Sequence, residues 1–527
     1  MERRRLALLS GYAFATFLAF PQPVAGRVVD LGIVLAWASP GLLVLGLDGL
    51  APGRAARAGF AAALAAHAAI LHWIYVVTVV YGHAPAAVGV VAPILLAAYV
   101  AAFTAGFGAG CAWLAARGAA SPFALALLWT ALDHLRSFAL SGMPWATLGY
   151  AQHANAALLE LAPYTGVYGL SFATVLGGVA LARGARNALA GGRPGAGVWA
   201  ALAAVAALHL AGIATATRPP GPGAPTVRVA VLQGNIDQAF KWSPDWAERT
   251  LGIYEELSLR AASQGAELIV WPETAVPAAI DADPALQERI ARLARETGAS
   301  LVVGAIGLGP GADSRRVGFY DSAFLLGADG ELVARYDKSH LVPFGEYVPL
   351  RDLLGLGLRA VARGIASDNV MPGPGPQVFQ LAVGAEGPRR ITVGVPICYE
   401  LVFPDLVRRF VRDGAEILLA ITNDAWYGRT GAPYQFLAIT ALRSAETRVW
   451  TARAANTGVS AIIDERGRVR ARTRIFERGL LVHDVPLRPP PLGGSFYTRH
   501  GDVFAWACWL GVAGLAWRAR SRGVTPG

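Results

Sequence analysis

Three polar residues stand where short apolar runs end, and their types complement one another chemically. Glu273 follows ELIVW (267–271) within WPET, Lys338 closes ELVARYDK (331–338), and Cys398 follows RITVGVPI (390–397) within CYE. A thiol needs a base to become a nucleophilic thiolate, and a carboxylate serves when burial raises its pKa. The carbonyl under attack develops negative charge on oxygen, which a fixed ammonium offsets. Glu, Lys and Cys supply those three roles. Singly, each has a plainer reading: an isolated cysteine after a strand is usually a small buried hydrophobe, and an isolated Glu or Lys there is usually solvated. Together at strand ends, where a rigid sheet meets a loop, they point to covalent thiol chemistry.

Other chemistries find little footing. Of three cysteines, Cys111 and Cys508 fall in apolar segments, leaving Cys398 alone in the polar part. With no CxxC and no paired framework, neither disulfides nor zinc are indicated. A Walker loop, a Rossmann fingerprint and HExxH are all missing, so neither cofactor nor metal is expected. The net charge of +10 would suit nucleic acid, but the arginines gather at the ends of apolar segments. A basic face interleaved with aromatics is missing, so no nucleic-acid partner is expected.

The elements that must position the three residues alternate along 227–485. Predicted strands are 227–234, 267–271, 300–306, 319–327, 331–338, 390–397, 416–421, 449–456 and 459–464. Predicted helices are 243–263, 284–297, 402–413 and 433–447. Strands separated by helices of this length imply a layered α/β domain. The short turns ADGE (328–331) and DERG (464–467) add hairpins, so the sheet is not purely parallel.

Around this domain the texture changes. The chain is 54% hydrophobic and 16% charged, where soluble chains carry roughly a quarter charged residues. The apolar excess sits in 6–217 and 501–517. A spanning helix needs about 20 mostly apolar residues. Eight stretches qualify: 6–21, 28–49, 57–80, 86–115, 121–138, 165–183, 196–216 and 501–517, the fifth carrying Asp133 and His134. Residues 1–26 have a basic start and a short apolar run, but the spans that follow favour a retained helix over a cleaved leader.

Orientation follows from arginine. With the N-terminus inside, the inner side holds Arg3, Arg4, Arg5, Arg54, Arg57, Arg117, Arg183, Arg186, Arg193, Arg518, Arg520 and Arg522; the short outer loops hold Arg27 and Arg136. Both termini are then cytoplasmic and the polar domain faces outward. Three parts result: a transmembrane domain at 1–218 with seven spans, a periplasmic catalytic domain at 219–499, and a C-terminal helix with a tail at 500–527. The glycine-rich, partly apolar stretch 350–376 reads as an interfacial arm or lid.

WPE, YDKSHLVPFGEYVP and CYE, in that order, resemble the Glu–Lys–Cys signatures of the carbon–nitrogen hydrolase (nitrilase) superfamily. The longer HLVPFGEYVP, with KW (241–242), NDAWYG (423–428), AANTGVSA (454–461) and the flanking spans, is similar to its membrane branch, the apolipoprotein N-acyltransferases. The resemblance implies an α-β-β-α sandwich with Cys398 as nucleophile, Glu273 as general base and Lys338 as stabiliser of the tetrahedral intermediate. It further implies supporting roles for Glu346, Tyr399 and Glu400, and a substrate contact for Trp242.

The implied reaction moves an acyl chain from a phospholipid, through a cysteine thioester, to the N-terminal amine of an S-diacylglyceryl-cysteine lipoprotein in the inner membrane. Two alternatives share the sequence. A membrane-anchored amidase would let water discharge the thioester, although one anchor would then be enough. A transporter or scaffold with an inactive domain would call for more intramembrane charge than Asp133 and Asp48 provide.

Overall fold

The computed structural model describes residues 2–217, 225–241, 243–311, 317–347, 370–384, 387, 389–487 and 494–521. Each of the eight apolar stretches contains a helix: Glu2–Leu18, Gly32–Leu47, Pro52–Ile70, Ala86–Ala115, Pro122–Arg136, Val167–Leu189, Ala196–Ala216 and Val503–Ser521. Three of them, Ala86–Ala115, Val167–Leu189 and Ala196–Ala216, are long and apolar enough to cross a membrane, and Gly32–Leu47 is apolar but shorter. The stretch 57–80 is not one helix. It stops at Ile70, and Val76–Tyr81 forms a separate π-helical turn. The run VVTVVY crowds the regular helix with β-branched side chains, and the Thr78 hydroxyl donates to the Ile74 carbonyl at 2.9 Å.

Small residues let these helices approach closely. Gly59 faces the Thr104 backbone and Gly108 the Ala55 backbone, so Pro52–Ile70 lies tightly against Ala86–Ala115. The charges inside the bundle are matched. Asp133 accepts from Trp129 at 3.2 Å and from Ser171 at 2.9 Å, while Arg136 donates to the Trp145 carbonyl at 3.0 Å and to Thr147 at 2.9 Å.

A short hairpin, β1 (Gln22–Val24) and β2 (Arg27–Val29), joins the first two helices. The polar domain then holds two sheets. The first comprises β3 (Thr226–Gln233), β4 (Leu268–Val270), β5 (Val276–Ala279), β6 (Ser300–Pro310), β7 (Val317–Leu326), β8 (Leu332–Asp337) and β15 (Gly479–Pro486). Its order is β15-β3-β4-β6-β7-β8, with β5 paired to β6. The second comprises β9 (Val378–Val383), β10 (Arg389–Gly394), β11 (Ile417–Thr422), β12 (Trp450–Ala455), β13 (Ala461–Ile463) and β14 (Val469–Arg472), in the order β14-β13-β12-β11-β10-β9. Each sheet has a parallel centre, β3-β4-β6 or β10-β11-β12, flanked by antiparallel strands, and β5 adds a parallel pairing to β6.

The period of two along β3 shows why the sheets stack. Val227, Val229 and Val231 join the core shared with the second sheet, whereas Ala230 and Leu232 pack with Tyr254 and Leu257 of the helix Pro244–Ala262. With Pro284–Thr297 beside that helix, and Pro404–Arg412 and Ala432–Thr447 on the second sheet, the layers run helix, sheet, sheet, helix. The domain is docked on the helical bundle rather than merely tethered to it. Buried Glu446 accepts the Val167 N–H at 2.8 Å and Arg443 at 2.9 Å, Arg443 also donates to the Tyr150 hydroxyl at 3.1 Å, and Trp145 donates to Gln435 at 2.8 Å.

Candidate active site

Glu273 leaves the sheet just after β4. Trp271 prolongs the strand pairing through its N–H to the Val302 carbonyl at 2.8 Å, and Thr274 turns the chain at φ +47°. Gly304 of β6 lies beneath this turn, where a side chain would overlap the Pro272 carbonyl and Glu273 Cα. Lys338 follows β8, and its N–H donates to the Asp321 carbonyl of β7 at 2.9 Å. Cys398 follows β10 beyond the bridge between Ile397 and Ile421. It adopts φ +47° and opens the helical turn Cys398–Val402. A non-glycine residue held there costs about 1–3 kcal/mol, which the surrounding packing must offset.

The three expected residues converge in one buried cluster. Lys338 Nζ is fully enclosed and lies 3.1 Å from Glu273 Oε1, 2.5 Å from Glu346 Oε1 and 3.3 Å from Asp321 Oδ2. These three carboxylates are spaced closely enough to hold a metal ion, but the ammonium already sits among them and meets that charge. Glu273 Oε2 accepts the Asn423 N–H at 2.6 Å. Asn423 is itself fixed by Gln238 at 2.8 Å and Asn456 at 3.1 Å. The Cys398 thiol lies near enough to the Glu273 carboxylate and the Lys338 ammonium for both charges to act on it.

Electrostatics set a defined resting state. Burial alone would raise Glu273, but the Lys338 ammonium above all, with Asp321, the Cys398 thiol and Lys241 beside it, holds its carboxyl well below the usual range. Burial and the adjoining Glu273 charge push the Cys398 thiol well up. Burial and the same charge push Asp321 well above the usual carboxylate range, which favours its neutral form. Lys338 is raised despite its burial, by Glu273, Glu346 and Asp321 in that order. The cluster therefore rests as thiol, ionised base and ammonium.

Glu346 and Glu400 both reach this cluster, in different ways. Glu346 grips Lys338 through Oε1, while its Oε2 accepts the Val342 N–H at 2.8 Å. Glu400 does not touch Lys338. Its Oε1 accepts from Tyr336 at 2.8 Å, from the Ser339 N–H and hydroxyl at 2.7 Å each, and from the His340 N–H at 3.3 Å; its Oε2 accepts the Ile397 N–H at 2.8 Å. Tyr399 points away from the cluster toward the helical bundle, packing on Phe403 and His340 with its hydroxyl 3.6 Å from Met143 Sδ.

Trp242 lies outside the described residues, as do 348–369 of the expected arm. The described end of that stretch is stitched to the site: Val370 N–H donates to the Glu346 carbonyl at 3.1 Å and Gly373 N–H to the Lys338 carbonyl at 2.8 Å.

Two further residues of the cluster escaped the sequence reading. Asp321 lies within FYDSAFLLG, where it reads as one polar position of an alternating strand. Lys241 lies in KW, and its buried Nζ donates to the Glu273 main-chain carbonyl at 3.3 Å. Burial lowers Lys241 to about 8, against the pull of Glu273, Asp321 and Cys398. The lysine beside Trp242 was the one available signal.

Comparison with known proteins agrees in both halves of the chain. The carbon-nitrogen hydrolase family matches residues 228–488, and the apolipoprotein N-acyltransferase N-terminal domain matches 12–180. The apolipoprotein N-acyltransferase of Geobacter metallireducens is 41% identical, over 98% of this chain and 95% of its own length. That of Nitrosomonas europaea is 35% identical, over 95% and 93%. That of Pseudomonas syringae pv. tomato is 34% identical, over 86% and 86%. A solved amidase from Nesterenkonia sp. is 22% identical and covers 54% of this chain and 96% of its own, with a TM-score of 0.36.

Proposed function

Because the chain belongs to the apolipoprotein N-acyltransferase family, we propose that its buried Glu273–Lys338–Cys398 cluster carries the acyl transfer, from a phospholipid donor to the N-terminal amine of a diacylglyceryl-cysteine lipoprotein. The observation that carries this reading is the enclosed Lys338 ammonium, 3.1 Å from the Glu273 carboxylate, whose charge acts on the Cys398 thiol.

The route follows from the resting charges. Glu273 is ionised and can take the thiol proton as Cys398 Sγ attacks the ester carbonyl of the donor. The S–C bond forms, and the carbonyl oxygen becomes an oxyanion. Two groups suit that charge: the Lys338 ammonium, and the Tyr399 N–H, which lies at the start of a helical turn where N–H groups lack acceptors within the helix. Collapse breaks the C–O bond, and Glu273 returns the proton to the departing lysophospholipid alkoxide. The acceptor amine then attacks the thioester, forming C–N and breaking C–S. Its proton passes to Glu273 and on to the released thiolate. Ester becomes amide downhill, without a nucleotide.

Glu346 and Asp321 hold Lys338 in place, and Glu400 fixes the main-chain turns that present Lys338 and Cys398. The enclosure of all three reactive side chains keeps water from competing with the amine. The transmembrane reading is the eight-span one, with both termini cytoplasmic in the inner membrane and the catalytic domain periplasmic. Two arginine contacts support it. Arg5 donates to the Gly46 and Asp48 carbonyls, and Arg186 pairs with Asp48 at 2.7 Å. These two expected inner arginines thus meet at the C-terminal end of Gly32–Leu47.

The test is intact-protein mass spectrometry after incubation with phospholipid, wild type beside Cys398→Ala. An acyl-sized, hydroxylamine-labile adduct on wild type alone, discharged by a diacylglyceryl-cysteine peptide, is expected. Absence of an adduct, or discharge by water at the same rate, would sink the transferase role of this cysteine.

A further inference from the structure

Arginine recurs at every second position from 466 to 474, in a hairpin far from Cys398 in sequence: Arg466, Arg468, Arg470, Arg472 and Arg474. Three have carboxylate partners: Arg466 with Glu160 at 3.1 Å, Arg470 with Asp464 at 2.7 Å and Arg474 with Glu477 at 3.9 Å. Arg468 and Arg472 have none among the described residues. Both line a cavity of about 250 Å³, together with His153, Tyr434, Leu437 and Val469. Among the described residues Asp30 is the one acidic residue of its wall, and it is already held by His153 at 3.1 Å. Among those residues, then, two guanidinium groups of the cavity have no anion.

Its depth is set by the neighbouring helix. Arg466 donates to the Thr215 carbonyl at 2.7 Å and Arg468 to the Ala216 carbonyl at 3.0 Å. Those carbonyls end Ala196–Ala216, a helix long and apolar enough to cross a membrane, with only 17% of its most apolar stretch buried in the protein. Cations at a helix C-terminus meet the negative end of its dipole. The cavity thus lies where a lipid-facing span runs out and phospholipid head groups begin. Val28 and Val469 stand exposed at its rim, 43% and 38% accessible.

We propose that this cavity binds the phosphodiester head group of an anionic phospholipid from the leaflet on the catalytic-domain side. Arg468 and Arg472 would fork onto the phosphate oxygens, and the acyl chains would lie along the exposed face of Ala196–Ala216. The volume is below that of typical whole-ligand pockets, about 300–1,000 Å³, which suits a head group whose chains stay in the bilayer. None of the lining residues belongs to the Cys398 cluster, so the bound lipid is an anchor and not the acyl donor. The inference rests on Ala196–Ala216 crossing the membrane and not on the role of Cys398.

Native mass spectrometry of the full chain in detergent tests it, with phosphatidylglycerol as the probe and phosphatidylcholine and inorganic phosphate as comparisons. Wild type should retain one phosphatidylglycerol. Arg472→Gln, at an exposed position, should weaken retention about fivefold, and the Arg468→Gln/Arg472→Gln pair about thirtyfold. Arg472→Lys should recover most of the loss. Equal retention by the paired variant would overturn the proposal, as would equal retention of phosphatidylcholine. Displacement of the lipid by millimolar inorganic phosphate would make the cavity a free-anion site instead.

Discussion

The Glu400 carboxylate accepts the Tyr336 hydroxyl at 2.8 Å, so a residue two positions after Cys398 holds the strand that ends at Lys338. The same carboxylate also receives the Ser339, His340 and Ile397 N–H groups. Nucleophile and cation thus come from different sheets but share one acceptor. Catalysis by fixed charge depends on such positioning more than on any single contact.

Glu400→Gln tests this link. An amide presents an NH2 to at least one N–H that now has an acceptor, and an unmet buried N–H costs about 1–3 kcal/mol. Thermal stability should fall by that order, and kcat should drop about a hundredfold with KM little changed, because Glu400 is fully buried behind the residues it positions. A change in KM alone would assign Glu400 to substrate binding instead.

Asp321 separates a neutral from a charged reading of the carboxylate cluster. Burial and the adjacent Glu273 charge hold it protonated, so an amide is close to its isostere. Asp321→Asn should retain activity within about tenfold, while Asp321→Ala, which removes an acceptor 3.3 Å from Lys338, should lose about a hundredfold, as expected when a buried ammonium is left one hydrogen-bond partner short. Equal losses in steady-state assays would show that Asp321 works as a carboxylate.

The parts of the site that the sequence made legible are those at element ends. Glu273, Lys338 and Cys398 each follow an apolar run, and that pattern alone placed them at strand ends. Asp321 was illegible for the same reason. It lies inside β7, one residue before Ser322, which pairs with Asp337 of β8, and only that register brings it beside Lys338. Strand β15 was also missed, because GLLVHDVP mixes charge into a run that pairs antiparallel with β3. The break after Ile70 hid in a continuous apolar run, since hydropathy reports length and not helix geometry.

Alkylation of Cys398 gives a prediction with a definite sign. The Glu273 charge is one of the causes that push the thiol up. In Glu273→Gln that charge is gone while Lys338 remains, so the thiol pKa falls. The rate of iodoacetamide modification, followed by intact mass against pH, should rise at lower pH than in wild type even though acyl transfer is abolished. Lys338→Met removes the opposing cation and should move the profile the other way. A profile unchanged by both substitutions would place the thiol out of reach of this cluster.

Lys241 links the pH dependence of activity to a residue that the KW motif contained without assigning it a role. Its ammonium helps to keep Glu273 ionised, and burial brings its own pKa down to about 8. Near that value Glu273 is ionised whether or not Lys241 is charged, so the effect of Lys241 falls on the acid limb of the kcat/KM profile. Lys241→Met lacks the charge at every pH, so Glu273 should protonate at higher pH and the acid limb should move upward. Lys241→Arg keeps a charge throughout, since a guanidinium does not titrate in this range, and should leave the acid limb in place. Superimposable profiles for wild type and Lys241→Met would mean that the second lysine only fills space beneath the Glu273 turn.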